Sequence, residues 1–537
     1  MATAMSVILM ALAALLFVSI LRNVMILFRV AIWERFKVIR MMKKEGYSGP
    51  PFSVFSDNLE ESRAMKQKAR KANALQRFGT VDHDIWDRVH PDIKEWKNLY
   101  GEKLFCRPEK HLIVLLGFDE PDVVRTMFAH KTDEFSKGYS PIAETVLGKG
   151  GLALTVDHES WARQRRVVRP VFYASYIKDT TKVMTPIVTA WLKTLKDKAT
   201  GSGGSVEVDI FKYLGTVVRD VLAQVAFGID FLEGKKAFED QEKLIALELE
   251  SGGVIHPFFR LLPTPRNLQI RRTRSAVTRC MKAIIRKRRM AFKNGALDSL
   301  GDDLLGVLLN AVEDDVAALS DPKQKIKKHA MPWTDDLLVD QCRTFFQAGT
   351  NTVSVTTSWV LILLANYPEW QERIRKEVLD NSPVCENLHK LESLRMFVRE
   401  TQRMYPTAPA LTRTLVKDGV SLLGNSLPKN LTVRVDVIRL HRNRETWGDD
   451  ADEFKPERFK NGIAQACKHP YGFIPFGAGP RTCVAQNFAI AEVELVTSMI
   501  LEHFRFRLSP SYCDMPMVTV VLQPACGATL ILELLKP

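Results

Sequence analysis

Phe473 to Val496 reads FIPFGAGPRTCVAQNFAIAEVELV. Two glycines, Gly477 and Gly479, permit a tight backbone turn ahead of Cys483, and the periodic apolar residues that follow predict a helix opening just past the cysteine. A thiolate at Cys483 would face the positive end of that helix and nearby backbone N–H groups, with Arg481 adding charge, so the sequence predicts a cysteine that stays ionised. A structural cysteine before a helix is the alternative. It is the better reading of the other seven, Cys106, Cys280, Cys342, Cys385, Cys467, Cys513 and Cys526. The eight are widely scattered and none form the close pairs of zinc sites or redox dithiols, which suggests single thiols in a reducing compartment.

Working outward, the chain of 537 residues is 46% hydrophobic and 26% charged, with 29 Gly and 26 Pro. That composition supports a sizeable buried core and excludes collagen-like, disordered and small disulfide-stapled classes. Thr334 can cap TDDLLVDQCRTFFQAGTNTVSVTTSWVLILLANYP, with two Asp in the first turn and Pro368 ending it. Such a helix, about 33 residues and near 50 Å, crosses a whole large domain with both faces in the core. The β-type runs HLIVLLG (His111 to Gly117), LTVRVDVI (Leu431 to Ile438) and ATLILELL (Ala528 to Leu535) are too few for a doubly wound sheet. The expected class is mainly α with small β-sheets.

Met1 to Leu21 carries no ionisable side chain, and 21 helical residues reach about 30 Å, the thickness of a bilayer core. No charged n-region precedes the apolar run and no clear small-residue cleavage site follows it, which favours a retained transmembrane helix over a cleaved signal. Arg22, Arg29, Arg35, Lys37, Arg40, Lys43 and Lys44 against Glu34 and Glu45 place the following flank on the cytosolic side. GYSGPP (Gly46 to Pro51) breaks any helix and reads as a hinge. The expected division is a membrane anchor at 1–28, a basic flank and hinge at 29–51, and one domain at 52–537.

The net charge of +14 is concentrated. Ser251 to Ala296 holds 12 basic residues and no Asp or Glu. Such a segment suits a face meeting anionic lipid or an acidic protein, or simply a solvated helix face. Nucleic acid is disfavoured, because aromatics are not interleaved with the charge.

Phe476, Gly477, Gly479, Arg481 and Cys483 resemble the haem-ligand signature of the cytochrome P450 superfamily, Phe-x-x-Gly-x-Arg-x-Cys-x-Gly, with Ala485 where the last glycine usually stands. Other segments resemble that family in the right order. Glu400-Thr401-Gln402-Arg403 is similar to its Glu-x-x-Arg helix motif, and Phe454 to Phe459 to its Pro-Glu-Arg-Phe segment, which would let Arg458 close a triad with Glu400 and Arg403. Taken alone, a Glu/Arg pair one turn apart is usually a surface pair worth under about 1 kcal/mol. Trp161-Ala162-Arg163-Gln164-Arg165 is similar to Trp-x-x-x-Arg, and Arg413 and Arg481 match positions that complete a cage for haem propionates. Ala348-Gly349-Thr350-Asn351-Thr352 is similar to the oxygen-activation motif, with Asn351 where the family has a carboxylic acid.

The resemblance implies a cytochrome P450 fold carrying haem (iron protoporphyrin IX), with Cys483 as axial thiolate and Trp161, Arg165, Arg413, Phe476 and Arg481 around the cofactor. Gly349 would leave room for dioxygen, Thr352 would hydrogen-bond it, and Asn351 would position a water. It further implies a monooxygenase acting on an apolar small molecule of terpenoid, hormone or fatty-acid type, at the endoplasmic reticulum membrane and in contact with membrane lipid. No Gly-x-Gly-x-x-Gly or flavin motif is present, so electrons from NADPH would arrive through a separate NADPH-cytochrome reductase. Candidate docking charges are Arg163, Arg166, Arg169 and Lys468. RVAIWERFKVIRMMKKEGYSGPPF resembles plant microsomal members. The alternatives are a haem-thiolate isomerase or dehydratase needing no O2, and a non-catalytic haem binder.

Overall fold

A computed structural model describes residues 34–51, 58–74, 78–109, 112–130, 133–138, 141–228, 231–250, 262–320, 332–422 and 424–535, with a few positions between 14 and 25. The predicted anchor therefore lies largely outside the described residues. Among those described, the only helix long and apolar enough to cross a membrane is Asp335–Asn366, and it is mostly buried within the protein.

The helices that position the site are α1 (Glu34–Lys44), α2 (His158–Val168), α3 (Ala174–Gly201), α4 (Ile210–Phe227), α5 (Phe231–Glu250), α6 (Pro265–Lys293), α7 (Leu304–Ser320), α8 (Asp335–Asn366), α9 (Pro368–Asp380), α10 (Glu392–Met404) and α11 (Gln486–His503). Small sheets flank them. β1 (Leu104–Glu109), β2 (Leu112–Phe118), β3 (Phe135–Ser136), β5 (Ala410–Leu415) and β8 (Thr432–Asp436) form one sheet in the order β1-β2-β8-β5-β3, parallel only between β2 and β8. A second joins β4 (Ser205–Asp209), β12 (Thr529–Leu534) and β9 (Phe504–Leu508) in the order β4-β12-β9, and two hairpins pair β6 (Val420–Leu422) with β7 (Asn425–Leu427) and β10 (Pro516–Val518) with β11 (Leu522–Pro524). The class is mainly helical with small sheets.

The long helix is held from both ends and along its length. Thr334 Oγ1 accepts from the Leu337 N–H at 3.2 Å, and Pro368 opens α9 two residues past the end of α8. Six hydroxyls inside α8, those of Thr350, Thr352, Ser354, Thr356, Thr357 and Ser358, donate to carbonyls four residues back. A polar stretch thus crosses the core without interrupting the helix, because its own backbone satisfies it. Trp359, fully buried, donates its indole N–H to the Leu522 carbonyl at 2.9 Å and stacks on Tyr405 at 4.5 Å. α8 meets α2 through amides: Gln341 Nε2 donates to Gln164 Oε1 at 2.9 Å, and Gln164 Nε2 donates to the Gly150 carbonyl at 3.0 Å.

The turn at Gly46 to Pro51 is pinned to the first strand. Ser48 donates to Lys103 and accepts from Phe105, both at 2.9 Å, Tyr47 is buried, and a Cβ on Gly49 would stand 1.9 Å from the Phe105 carbonyl oxygen. The chain leaving α1 therefore has one path onto the sheet.

Candidate cofactor site

α8 and the loop before α11 close on a cavity of about 380 Å³ lined by, among others, Ala348, Gly349, Thr352, Val353, Phe476, Arg481, Cys483 and Ala489. The loop is built by its glycines. Gly477 and Gly479 have φ of +78° and +69°, and a Cβ at Gly479 would lie 1.8 Å from the Phe128 carbonyl oxygen, so no other residue fits there. The Cys483 N–H donates to the Phe476 carbonyl at 2.9 Å, which folds the loop back on itself and places Cys483 on the cavity wall, away from bulk solvent.

The protein groups around that sulfur act on it in opposite directions. Burial pushes the Cys483 thiol up, and the Ala485 amide, Arg165 and Lys137 lower it by less. α11 starts at Gln486, and a single short turn, Gly479–Arg481, precedes the cysteine. Desolvation outweighs the helix dipole; a metal, which deprotonates a coordinating thiol outright, would have to supply the rest.

Four cations line the same cavity: Lys137, Arg165, Arg413 and Arg481. Among the described residues no carboxylate lines it. Arg481 and Arg165 lie 4.7 and 5.6 Å from the ring centre of Trp161, and Arg165 Nη1 donates to the Thr482 carbonyl at 2.8 Å, tying α2 to the cysteine loop. Arg413 packs over Phe128 at 4.2 Å. Burial, compounded by Arg481, pushes Arg413 down to about 10, and burial together with Arg413 and Arg481 pushes Lys137 down to about 8. Arg481 Nη1 is buried without a hydrogen-bond partner. Mutually repelling cations beside an orphaned donor fit a dicarboxylate such as the haem propionates, which would supply the missing charge. The sequence did not reveal Lys137, which sits just past the two-residue strand β3 with no motif around it. Only the fold brings it to Arg413.

On the opposite wall, Thr352 Oγ1 donates to the Ala348 carbonyl at 2.6 Å, and Thr356 Oγ1 lies 2.7 Å from Thr407 Oγ1. Gly349 lines the cavity, but a Cβ there would come within 2.9 Å of Leu222 Cδ2, so close packing against α4 is itself a reason for glycine. Asn351 is half-buried and is not among the cavity-lining residues. Of the candidate docking charges, Arg166, Arg169 and Lys468 are exposed, whereas Arg163 is committed to Asp315.

Behind the cavity, Glu400 and Arg403 are fully buried. Arg403 Nε and Nη2 donate to the two Glu400 oxygens at 2.7 and 2.8 Å, and its remaining N–H groups go to the carbonyls of His441 (2.9 Å), Ala451 (2.5 Å) and Glu453 (2.8 Å). Arg458 Nε lies 3.5 Å from Glu400 Oε1, but its Nη1 donates to Asp450 Oδ1 at 2.5 Å, a partner the sequence reading missed. His441 was also missed: the Ile474 N–H donates to its Nε2 at 3.0 Å, so Nδ1 carries the proton and faces the Arg403 carbonyl at 3.2 Å.

Comparison with known proteins agrees. The cytochrome P450 family profile matches residues 73–530. The chain is 32% identical over 514 residues to cytochrome P450 734A6 of Oryza sativa subsp. japonica, covering 93% of this chain and 92% of that one. It is 31% identical to secologanin synthase 1 of Catharanthus roseus, covering 95% of each, and 31% identical to 11-oxo-beta-amyrin 30-oxidase of Medicago truncatula, covering 92% of each. Retinoic acid bound cyanobacterial CYP120A1 shares the fold, with a TM-score of 0.68 at 21% identity over 84% of this chain and 95% of that one. The chain therefore belongs to the cytochrome P450 family, whose members are oxidoreductases that carry haem on an axial cysteine thiolate and generally work with a redox partner on hydrophobic substrates.

Proposed function

We propose that this protein is a membrane-anchored monooxygenase that inserts one oxygen atom from O2 into an apolar terpenoid, hormone or fatty-acid type molecule, with NADPH electrons delivered by a separate NADPH-cytochrome reductase. The observation that carries the reading is the cavity itself: its lining holds both Cys483 and Thr352, and among the described residues its charged lining is four cations with no acid. Cys483 would ligate the haem iron through its thiolate, and Trp161, Arg165, Arg413, Arg481 and Lys137 would hold the propionates, with Phe476 in the loop that carries the thiolate. When bound, haem supplies the electron transfer and dioxygen chemistry that amino acid side chains lack.

The chain's own residues do the rest. Val353, Phe345, Leu152 and Val521 give the cavity an apolar lining that excludes water and suits an apolar substrate. Thr352 holds its hydroxyl at the cavity wall; while its one proton goes to the Ala348 carbonyl its oxygen can accept a hydrogen bond from inside the cavity, and turning away from that carbonyl would let it donate inward instead. Asn351, one residue back, can order a water but cannot act as an acid. A terpenoid is favoured within the substrate class by the names of the secologanin synthase and the amyrin oxidase. Residues 1–28 form the anchor, 29–51 the flank and turn, and 52–537 the catalytic domain facing the cytosol from the endoplasmic reticulum.

The deciding experiment has two parts. The reduced carbon monoxide spectrum of wild type should be of thiolate type and should be lost in Cys483→His; an unchanged spectrum in the variant would sink the ligand assignment. Product, peroxide and NADPH are then measured together with reductase over a panel of terpenoids, fatty acids and hormones. Product formed without reductase or O2 would replace the monooxygenase by an isomerase or dehydratase, and haem binding with no product on any substrate would favour a haem carrier.

A further inference from the structure

Among the described residues Cys483 is the one cysteine on the cavity wall. Two of the others meet elsewhere. Cys513 precedes β10 and Cys526 follows β11, 13 positions later in the sequence, and the hairpin sets Pro516 opposite Pro524 and Val518 opposite Leu522. The pairing runs on past the strands, because the Ala525 N–H donates to the Met515 carbonyl at 2.8 Å. A turn closed by the Gly527 N–H on the Pro524 carbonyl at 3.2 Å holds Cys526, whose side chain is the hydrogen-bond neighbour of the Cys513 thiol. The spacing is too long for a dithiol motif, and the fold supplies the proximity instead.

The two thiols are not equivalent. Cys513 is buried and sits in a fixed limb: its backbone bridges Phe78, and Asp514 beside it pairs with Arg88 Nη1 at 2.9 Å. Burial, then the Cys526 thiol and Asp514, push the Cys513 thiol up to about 11, against a smaller pull from Arg88. Cys526 is exposed, so an oxidant in solution reaches it first. The limb between them reaches the cavity. Val521 lines it, and the Leu522 N–H donates at 3.1 Å to the carbonyl of Thr407, which lines it as well. A covalent bond at the foot of the hairpin therefore fixes a stretch of cavity wall.

We propose that Cys513 and Cys526 form a reversible disulfide, driven by hydrogen peroxide, that clamps the β10–β11 hairpin and with it one wall of the cavity. The Cys526 thiolate attacks one peroxide oxygen, the O–O bond breaks, and hydroxide leaves to become water with the proton that Cys526 lost. The Cys513 sulfur then attacks the sulfenic acid, the S–S bond forms, and the second oxygen leaves as water with the Cys513 proton. The two sulfurs lose two electrons and peroxide gains two. A dithiol reductant reverses the step, restoring both thiols as it becomes a disulfide itself, so in a reducing compartment the bond is transient. Peroxide is what an oxygen-activating site releases when substrate is not oxidised, which would make the clamp a response to idle turnover. That source alone rests on the monooxygenase reading above; the pair itself does not.

The test treats the full-chain holoenzyme with hydrogen peroxide at a dose that leaves its haem absorption unchanged, alkylates the remaining thiols and maps peptides by mass spectrometry. A Cys513–Cys526 linked peptide should appear and should vanish with dithiothreitol, while the half-buried Cys280 and Cys385 remain alkylated. Cys513→Ser should trap Cys526 as a sulfenic acid that dimedone labels, and Cys526→Ser should leave Cys513 unoxidised. In hydrogen exchange, the Val518–Leu522 segment of oxidised wild type should open roughly 100-fold less often than that of reduced wild type, the worth of closing a loop of this length, and neither serine variant should respond to peroxide. Cys526 oxidised without linking to Cys513 overturns the proposal, as does a linked pair with exchange at Val518–Leu522 unaltered. A link formed by added peroxide but never during turnover with NADPH and reductase upholds the pair and counts against the monooxygenase reading alone.

Discussion

Replacing Arg403 by Leu removes all five side-chain hydrogen bonds that this residue makes, two to Glu400 and three to the carbonyls of His441, Ala451 and Glu453. What remains is a fully buried carboxylate whose nearest support is the Lys455 N–H at 2.7 Å and Arg458 at 3.5 Å. Breaking a buried pair from one side costs about 3 to 5 kcal/mol. Glu400→Gln keeps an acceptor but strands the Arg403 charge, so its cost should sit at the lower end of that range. For a domain of this size the unfolding entropy near 60 °C is about 1 kcal/mol/K, so these costs correspond to a fall of about 3 to 5 °C in Tm. The assay is thermal unfolding of each variant with haem incorporation measured on the same preparation. If the pair is a lock, the double variant Glu400→Gln/Arg403→Leu should be less unstable than the sum of the singles by about 2 kcal/mol or more, because no unpaired charge is left. A Tm within about 1 °C of wild type for either single variant, with full haem content, would refute the reasoning.

Lys137→Gln should speed haem loss to a scavenger protein by about 10- to 100-fold, the worth of one charge-assisted hydrogen bond, and an unchanged rate would remove Lys137 from the propionate site. Thr352→Ala should raise peroxide released per NADPH and lower product by about 10²-fold, whereas Asn351→Asp, off the cavity wall, should preserve or improve coupling; product from Thr352→Ala at the wild-type rate would argue against a proton role. The His83 ring, wedged between Tyr405 and Tyr367 at 2.9 and 2.7 Å, is pushed down by burial to about 4. The unfolded chain then binds a proton that the native one refuses as pH falls below about 6.5, so stability drops with pH by up to about 1.4 kcal/mol per unit. Glu494 is raised by burial to about 7 and works in the opposite sense, the native state holding a proton that the unfolded chain has released. Denaturant unfolding between pH 5 and 6.5 should therefore show a shallower pH slope for His83→Gln and a steeper one for Glu494→Gln; parallel curves would contradict both.

Which parts of this were legible in the sequence follows from how far each signal reaches. The start of α8 could be read because its cap is local: Thr334, two Asp and an apolar run lie within one turn, and the structure begins the helix at Asp335. The strands β2, β8 and β12 could be read from their β-branched and leucine runs, but not their order, since β8 joins its near neighbour β5 on one side and β2, hundreds of residues upstream, on the other. In the site, the turn around Cys483 was visible in two glycines. The reason Gly479 cannot change, the Phe128 carbonyl, was not visible, because it comes from a helix 351 positions upstream in chain order. Lys137 and His441 escaped for the same reason: each is a single ordinary residue whose meaning is a long-range contact, whereas Asp450, only eight residues before Arg458, lies in no recognisable motif.

The ionisation of Cys483 shows where local reading reaches the thiolate but credits the wrong neighbours. A cysteine ahead of a helix, with an arginine two residues away, looks like a stabilised thiolate when only neighbours in sequence are counted. In the fold, Arg481 turns toward Trp161 and the Val156 carbonyl, and the cations that do lower the thiol are Arg165 and Lys137, from other elements. Burial outweighs them. The same burial lowers Lys137, Arg165, Arg413 and Arg481, so among the protein's own groups desolvation acts against the charge on sulfur and cations alike. A cofactor bringing a metal for the sulfur and carboxylates for the cations relieves both at once. The lock at Arg403 differs in kind: its five donors are satisfied by the chain alone, and His441 carries that rigidity through one imidazole to Ile474, at the entrance of the cysteine loop. The protein thus satisfies every donor of Arg403 behind the cavity and leaves Arg481 Nη1 inside it without a partner, which predicts that haem removal will loosen the cavity residues Arg165, Arg413 and Lys137 while leaving the Glu400–Arg403 pair in place. Hydrogen exchange on apoprotein and holoprotein would measure this, and equal loosening at α10 would defeat the distinction.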